Sequence, residues 1–202
     1  MASKEYRFDE STHTHSIGGI IVPGITTVLK PLYDFSAVPE HILKASCAYG
    51  SAVHKVVELD CLDALDVDSL DESLRPSLTG FGQWLRDFGF SKSDFIVEVP
   101  MGDPALKFAG IPDLIVDGKA IIELKTRKVN MLTDPLQTVA QQNLWVKNGG
   151  ARVKEYAHYV LELRQDETYR CTRVNTKDAW SKFRRLLDYY WIGQEVSAWK
   201  RV

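Results

Sequence analysis

Apolar and polar positions along the chain fall into two rhythms. Short apolar runs bounded by glycine, proline or aspartate occur at residues 17–22, 95–100, 110–125, 153–163 and 168–174, and each predicts strand. Residues 6–8 and 17–22 read as a hairpin around Gly18-Gly19, and residues 25–29 as a short helix. Longer stretches with apolar residues every three or four positions predict helices over 39–65, 70–88, 135–147 and 177–200. The first is expected as two helices broken near Ala48-Tyr49-Gly50, with Ser51 capping the second. Phe81, Trp84, Leu85 and Phe88 recur at helical spacing, which is core packing rather than base stacking. Thr133 or Asp134 caps the third helix, Pro135 takes its first position and Gly149-Gly150 ends it. Helix, hairpin, helix, hairpin, helix is the order of an α/β protein with a mixed β-sheet and helices on its faces.

Within residues 110–125, two apolar strands flank Asp117-Gly118, and three charged residues interrupt them: Asp113, Glu123 and Lys125. Alternation puts Glu123 and Lys125 on one face, Ile122 and Leu124 on the other. A two-residue turn would pair Val116 with Lys119 and set Asp113 opposite Ile122. A three-residue loop, Asp117 to Lys119, pairs Val116 with Ala120 and sets Asp113 opposite Glu123; this register is the one expected. Two carboxylates and an ammonium on one face of an apolar hairpin are costly to bury, and the carboxylates repel unless a cation sits between them. Hard divalent cations are held by one or two carboxylates together with waters and phosphates. A lysine alongside suits the orientation of an attacking hydroxide. Glu-x-Lys alone is common and would mean only an exposed ion pair.

Pro112-Asp113 followed by Glu123-x-Lys125, framed by Ile and Val runs, resembles the signature of the PD-(D/E)XK nuclease superfamily. Gly50-x-x-x-His54-x-x-x-Glu58 is similar to the histidine motif of its RecB-like, phage-type exonuclease branch. Gln141-x-x-x-Trp145 is similar to that branch's Gln-x-x-x-Tyr motif, with tryptophan in the tyrosine's place and Gln142 adjacent. The opening hairpin also resembles that of phage-type relatives, although Gly24 replaces the serine of their Pro-Ser-Val-Thr. The likeness runs from about Tyr6 to Lys147.

The resemblance implies a restriction-endonuclease-like α/β core over residues 1–202 as a single nuclease domain, with 1–35 an N-terminal hairpin extension and 175–200 a C-terminal helix. It implies a divalent-metal-dependent DNA nuclease, foremost an exonuclease of phage-type recombination or DNA processing. An endonuclease of the same fold and a catalytically silent DNA-binding module stay open as alternatives. Under the resemblance, His54, Asp113, Glu123 and the carbonyl of Leu124 hold one or two Mg²⁺ or Mn²⁺ ions. Lys125 activates the attacking water, and Gln141 fixes that water or the scissile phosphate. Glu58 supports His54, and Glu98 matches an acid near the metals. Thr126, Arg127 and Lys128 form a basic loop suited to phosphate, and Trp145 keeps an aromatic platform for DNA. Partners implied are DNA and, by analogy, a single-strand annealing or recombination protein; oligomers occur among such relatives.

Composition narrows this picture. Hydrophobic residues at 45% and charged residues at 26% suit a globular domain. No apolar run approaches the roughly 20 residues of a membrane span, and the N-terminus lacks a signal-peptide core, so the cytoplasm of a bacterial cell or phage-infected host is expected. Three cysteines without a CxxC motif argue against a disulfide framework or zinc ribbon. They are too few for the four-cysteine iron–sulfur cluster of some RecB-like relatives, and no iron–sulfur cluster is expected. The net charge of −2 conceals segregation: residues 1–124 carry 10 Lys/Arg against 19 Asp/Glu, and residues 125–202 carry 15 against 8. Residues 56–74 hold seven acids and no base, so phosphate is expected along the C-terminal part. His13-x-His15 lacks companion ligands and reads as a surface loop.

Overall fold

Tyr6–Asp9 (β1), Thr14–Ile17 (β2) and Ile20–Val22 (β3) form a small antiparallel sheet in the computed structural model, which describes residues 5–199. β2 and β3 meet at Gly18-Gly19, both at positive φ, as the glycines suggest. His15 is a buried residue of β2 rather than part of a surface loop: its Nδ1 lies 2.9 Å from the Tyr6 hydroxyl. Burial, then the neighbouring His13, push its imidazole down to about 4.

Ile25–Leu29 (α1) leads to Glu40–Cys61 (α2), one continuous helix where a break was expected. A glycine inside a helix costs only about 1 kcal/mol, too little to interrupt a 22-residue element anchored by Val53, Val56 and Val57. Gly50 also leaves room for the Thr126 hydroxyl, 3.5 Å from where a Cβ would stand. Arg75–Phe88 (α3) starts later than the sequence pattern suggests, with Pro76 in its first turn, and stops at left-handed Gly89. The strand expected over 95–100 shortens to Ile96–Val97 (β4) because Glu98 turns to φ 44°. Met101–Asp103 (β5) pairs with Phe108–Gly110 (β6) as a separate ribbon.

Leu114–Val116 (β7) and Ala120–Lys125 (β8) then form the hairpin in the expected register, Val116 with Ala120 and Leu114 with Ile122. Gly118, at φ 70°, supplies the left-handed residue of the three-residue loop. Asp134–Lys147 (α4), Ala157–Leu163 (β9), Tyr169–Arg173 (β10) and Ala179–Trp199 (α5) complete the chain. The main sheet runs β10-β9-β8-β7-β4, with β8 and β9 parallel and the other pairs antiparallel.

Alternation along β8 builds two apolar layers. Ile121 packs with Leu144, Phe183 and Leu187 of α4 and α5; Ile122 and Leu124 pack with Val53, Val57, Phe81 and Trp84 of α2 and α3. A mixed sheet with helices on both faces is the expected restriction-endonuclease-like architecture. Ile122 has no exposed surface, so Ile122→Ala is expected to cost about 2–5 kcal/mol, read as a lower urea midpoint with an unchanged slope. No described helix is long and apolar enough to cross a membrane.

Candidate active site

The registers of β4 with β7 and of β7 with β8 continue one residue past the paired strands. Glu98, Asp113 and Glu123 therefore form one row across three neighbouring strands. The Glu98 N–H donates to the Asp113 carbonyl at 3.3 Å, which ties the first two. Asp113 is buried, and its Oδ2 accepts the Leu124 N–H at 2.6 Å, which ties the second strand to the third. From α2, His54 reaches this row: its Nδ1 lies 3.2 Å from Asp113 Oδ1 and 3.9 Å from Glu98 Oε1. One ligand atom each from His54, Glu98 and Asp113 falls within 4.8 Å of the others.

Glu123 belongs to the same row but faces α4. Gln141 Nε2 donates to its Oε2 at 2.5 Å, Gln137 Nε2 donates to its Oε1 at 2.6 Å, and Lys125 Nζ donates to Oε1 as well. Gln137 and Gln141 are one helical turn apart, so both amides meet the same carboxylate. Lys125 Nζ also donates to Gln137 Oε1 at 3.3 Å. A carboxylate offers about four lone-pair sites, so three donors leave one free on Glu123 Oε2. Gln141 Oε1 is buried with no partner among the described residues.

The charges explain one another. Burial opposes protonation of His54, but the charge and hydrogen bond of Asp113, helped by Glu98, push it up to about 10. Burial raises Asp113, yet His54, Lys125 and the Leu124 N–H together outweigh it and hold the carboxyl below its ordinary range. Burial, then repulsion from Asp113, push Glu123 up to about 7 against the pull of Lys125. Burial pushes Glu98 up to about 6, offset in part by the nearby His54. Burial works against the Lys125 ammonium, and the charges of Glu123 and Asp113 hold it above the usual lysine range. An imidazole and two carboxylates form a donor set that Mg²⁺ or Mn²⁺ accepts.

The other sequence candidates are distributed around this centre. Gln141, not Gln142, meets Glu123; Gln142 Oε1 pairs with His158 Nε2 at 2.8 Å. Glu58 pairs with Lys55 Nζ at 2.7 Å, while His54 takes its orientation from Asp113. Thr126 and Arg127 line a cleft of about 660 Å³ with Tyr49 and Arg164, and Lys128 is exposed beside it. Arg127 also makes a two-pronged contact with buried Asp134, at 2.6 and 3.1 Å, which pins the loop to the start of α4. Trp145 lies elsewhere: its indole N–H donates to Asp117 Oδ1 at 2.7 Å, in the loop at the far end of the hairpin from Asp113 and Glu123. Helical advance carries it there, one turn beyond Gln141. Gln137 was missed by the sequence reading, although its spacing from Gln141 was a signal.

No family model matches this chain, and no curated protein matches it. Solved structures similar to it include LHK-Exo in complex with dAMP, at 12% identity and a TM-score of 0.38, covering 89% of this chain and 92% of that one. Another is the alkaline exonuclease LHK-Exo from Laribacter hongkongensis, at 14% identity and a TM-score of 0.38, covering 88% and 91%. Likeness of this degree carries no function across, and the functional reading rests on the residues of the site.

Proposed function

We propose that this protein is a divalent-metal-dependent deoxyribonuclease, an exonuclease that acts on DNA ends in recombination or DNA processing of the phage type. The observation that carries the reading is the meeting of His54, Glu98 and Asp113 within 4.8 Å, in a carboxylate row that continues to Glu123 and its partner Lys125. His54, Glu98 and Asp113 would hold Mg²⁺ or Mn²⁺, with Glu123 and the carbonyl of Leu124 beside them. Bound there, the ion supplies Lewis acidity toward a phosphoryl oxygen and acidifies a water.

The chain's own groups do the rest. Lys125, kept charged by Glu123 and Asp113, orients the attacking water and offsets charge that develops on the phosphate. Gln137 and Gln141 fix Glu123 so that it presents its free lone pair in one direction. Thr126, Lys128 and Arg164 offer the backbone-directed contacts that suit cleavage independent of sequence. Arg127, engaged by Asp134, sets the loop that carries them.

The test is digestion of end-labelled linear DNA and closed circular DNA with Mg²⁺, Mn²⁺ or EDTA, for wild type and Lys125→Ala. Metal-dependent loss of linear DNA alone, abolished by the substitution, is the expected result. Cutting of circles would replace the exonuclease with an endonuclease. DNA binding without cleavage in any metal would sink the enzymatic reading.

A further inference from the structure

The loop between Lys125 and α4 exposes Met131 (60%) and Leu132 (57%), and α5 exposes Tyr189 (65%) across from them. With Leu32 and Leu186 these side chains line a groove of about 530 Å³. Its remaining walls include Lys177, Lys182 and Arg185, and no acidic residue lines it. Along α5 the same surface continues as Lys182, Arg185, Tyr189, Ile192 and Val196, spaced 3-4-3-4. That spacing is the seam by which one helix packs against another. Ile192 is 58% exposed and Val196 38%, so the seam has no partner within the described chain.

We infer that the groove and the α5 seam dock an acidic amphipathic helix of a partner protein. Charge complementarity selects this occupant: Lys177, Lys182 and Arg185 at the groove end call for carboxylates, while the apolar residues that follow, flanked on α5 by exposed Asp188 and Glu195, call for a leucine-like stripe without them. Exposed Met and Tyr at the centre of the patch are typical of protein contacts, and the apolar Met131, Leu132 and Ile192 give nothing to a phosphate backbone. The chain's own acidic segment, residues 56–74, becomes turn and coil after Cys61, so a second copy could offer only its first six residues as helix, too few to span the seam. Met131 and Leu132 belong to the loop that follows Lys125, so a helix docked here contacts that loop. The inference does not depend on that site being a nuclease.

The test uses the full chain and a fluorescein-labelled synthetic peptide of about fifteen residues, matched in length to the seam, with leucine at 3-4 spacing and glutamate confined to the half that meets Lys182 and Arg185. Fluorescence anisotropy is expected to show saturable binding that weakens with salt. Arg185→Glu and, separately, Tyr189→Ala should each weaken it at least about tenfold, while circular dichroism and digestion of linear DNA stay at wild-type values. A peptide with lysine in place of glutamate should bind at least about tenfold less well. Absence of binding, equal binding of the two peptides, or equal binding by wild type and both variants would overturn the inference. A labelled oligonucleotide that loses affinity for Arg185→Glu while the acidic peptide does not would reassign the surface to nucleic acid. Concentration-dependent self-association abolished by Tyr189→Ala, with no peptide binding, would reassign it to a second copy of the chain.

Discussion

Asp113→Asn is expected to reduce metal-dependent DNA cleavage by about 10³-fold or more. The substitution keeps an oxygen able to accept the Leu124 N–H but removes the charge that His54 and the proposed cation share. Electrostatic stabilisation of several kcal/mol is at stake, and each 1.36 kcal/mol is a factor of about ten in rate. The same variant has a stability signature in metal-free protein. Asp113 sits below its ordinary range when folded, so its contribution is present above pH 3.8 and is lost as pH falls through the depressed value. His54 is raised to about 10, so its contribution is full below pH 6.5 and is lost as pH rises through about 10. The destabilisation by Asp113→Asn should therefore be greatest between about pH 4 and 6.5, on the order of 3 kcal/mol, and shrink towards pH 10. Urea melts with EDTA across this range measure it. A loss that does not vary with pH would mean that Asp113 and His54 do not act as a pair. A variant that folds and cleaves normally would remove Asp113 from the site.

Gln141→Leu is expected to act through Glu123. The glutamine donates to a carboxylate that is 1% exposed, and a hydrogen bond to a charged group is worth about 1.5–3 kcal/mol. Only the ionised form depends strongly on that donor, so its loss lifts the Glu123 carboxyl further above its present value of about 7. A carboxyl raised on folding weakens the native state as pH climbs from its unfolded value to its folded one. The variant should thus differ little from wild type at pH 5, where Glu123 is protonated in both, and be less stable at pH 8 by about 1 kcal/mol. Leucine also removes Gln141 Oε1, a buried acceptor without a partner among the described residues, which offsets part of the lost hydrogen bond. In the cleavage assay, the acid limb of the pH profile should move to higher pH, with Lys125 untouched. Equal destabilisation at pH 5 and pH 8 would show that Gln141 packs the core and does not hold a charge.

Much of this arrangement was open to a reader of the sequence. Strand side chains alternate with a period of two, so loop length alone decided whether Asp113 faced Glu123. The Asp-Gly pair with an extra lysine gave the three-residue loop that the structure has. The hairpin is a local feature, set by backbone periodicity and turn chemistry within a dozen residues. His54 and Glu98 were candidates only through the resemblance to a known family, because a lone helical histidine and a strand glutamate do not mark a centre by their spacing.

Tertiary structure decided what depends on how separate elements meet. It brought Glu98 into one row with Asp113 and Glu123, because β4 pairs with β7 and neither strand encodes that pairing alone. It chose Gln141 over Gln142 and added Gln137, since the angle at which α4 crosses β8 determines which helical face meets Glu123. It carried Trp145 to the Asp117 loop by the same rotation. It kept α2 continuous through Gly50, because packing of the valines that follow outweighs a small local propensity, and it buried His15 against Tyr6. By itself the sequence determined the hairpin, its register and its charged residues, through short-range geometry. Which donors surround those charges was settled only by long-range packing, where the burial that shifts their titration also arises.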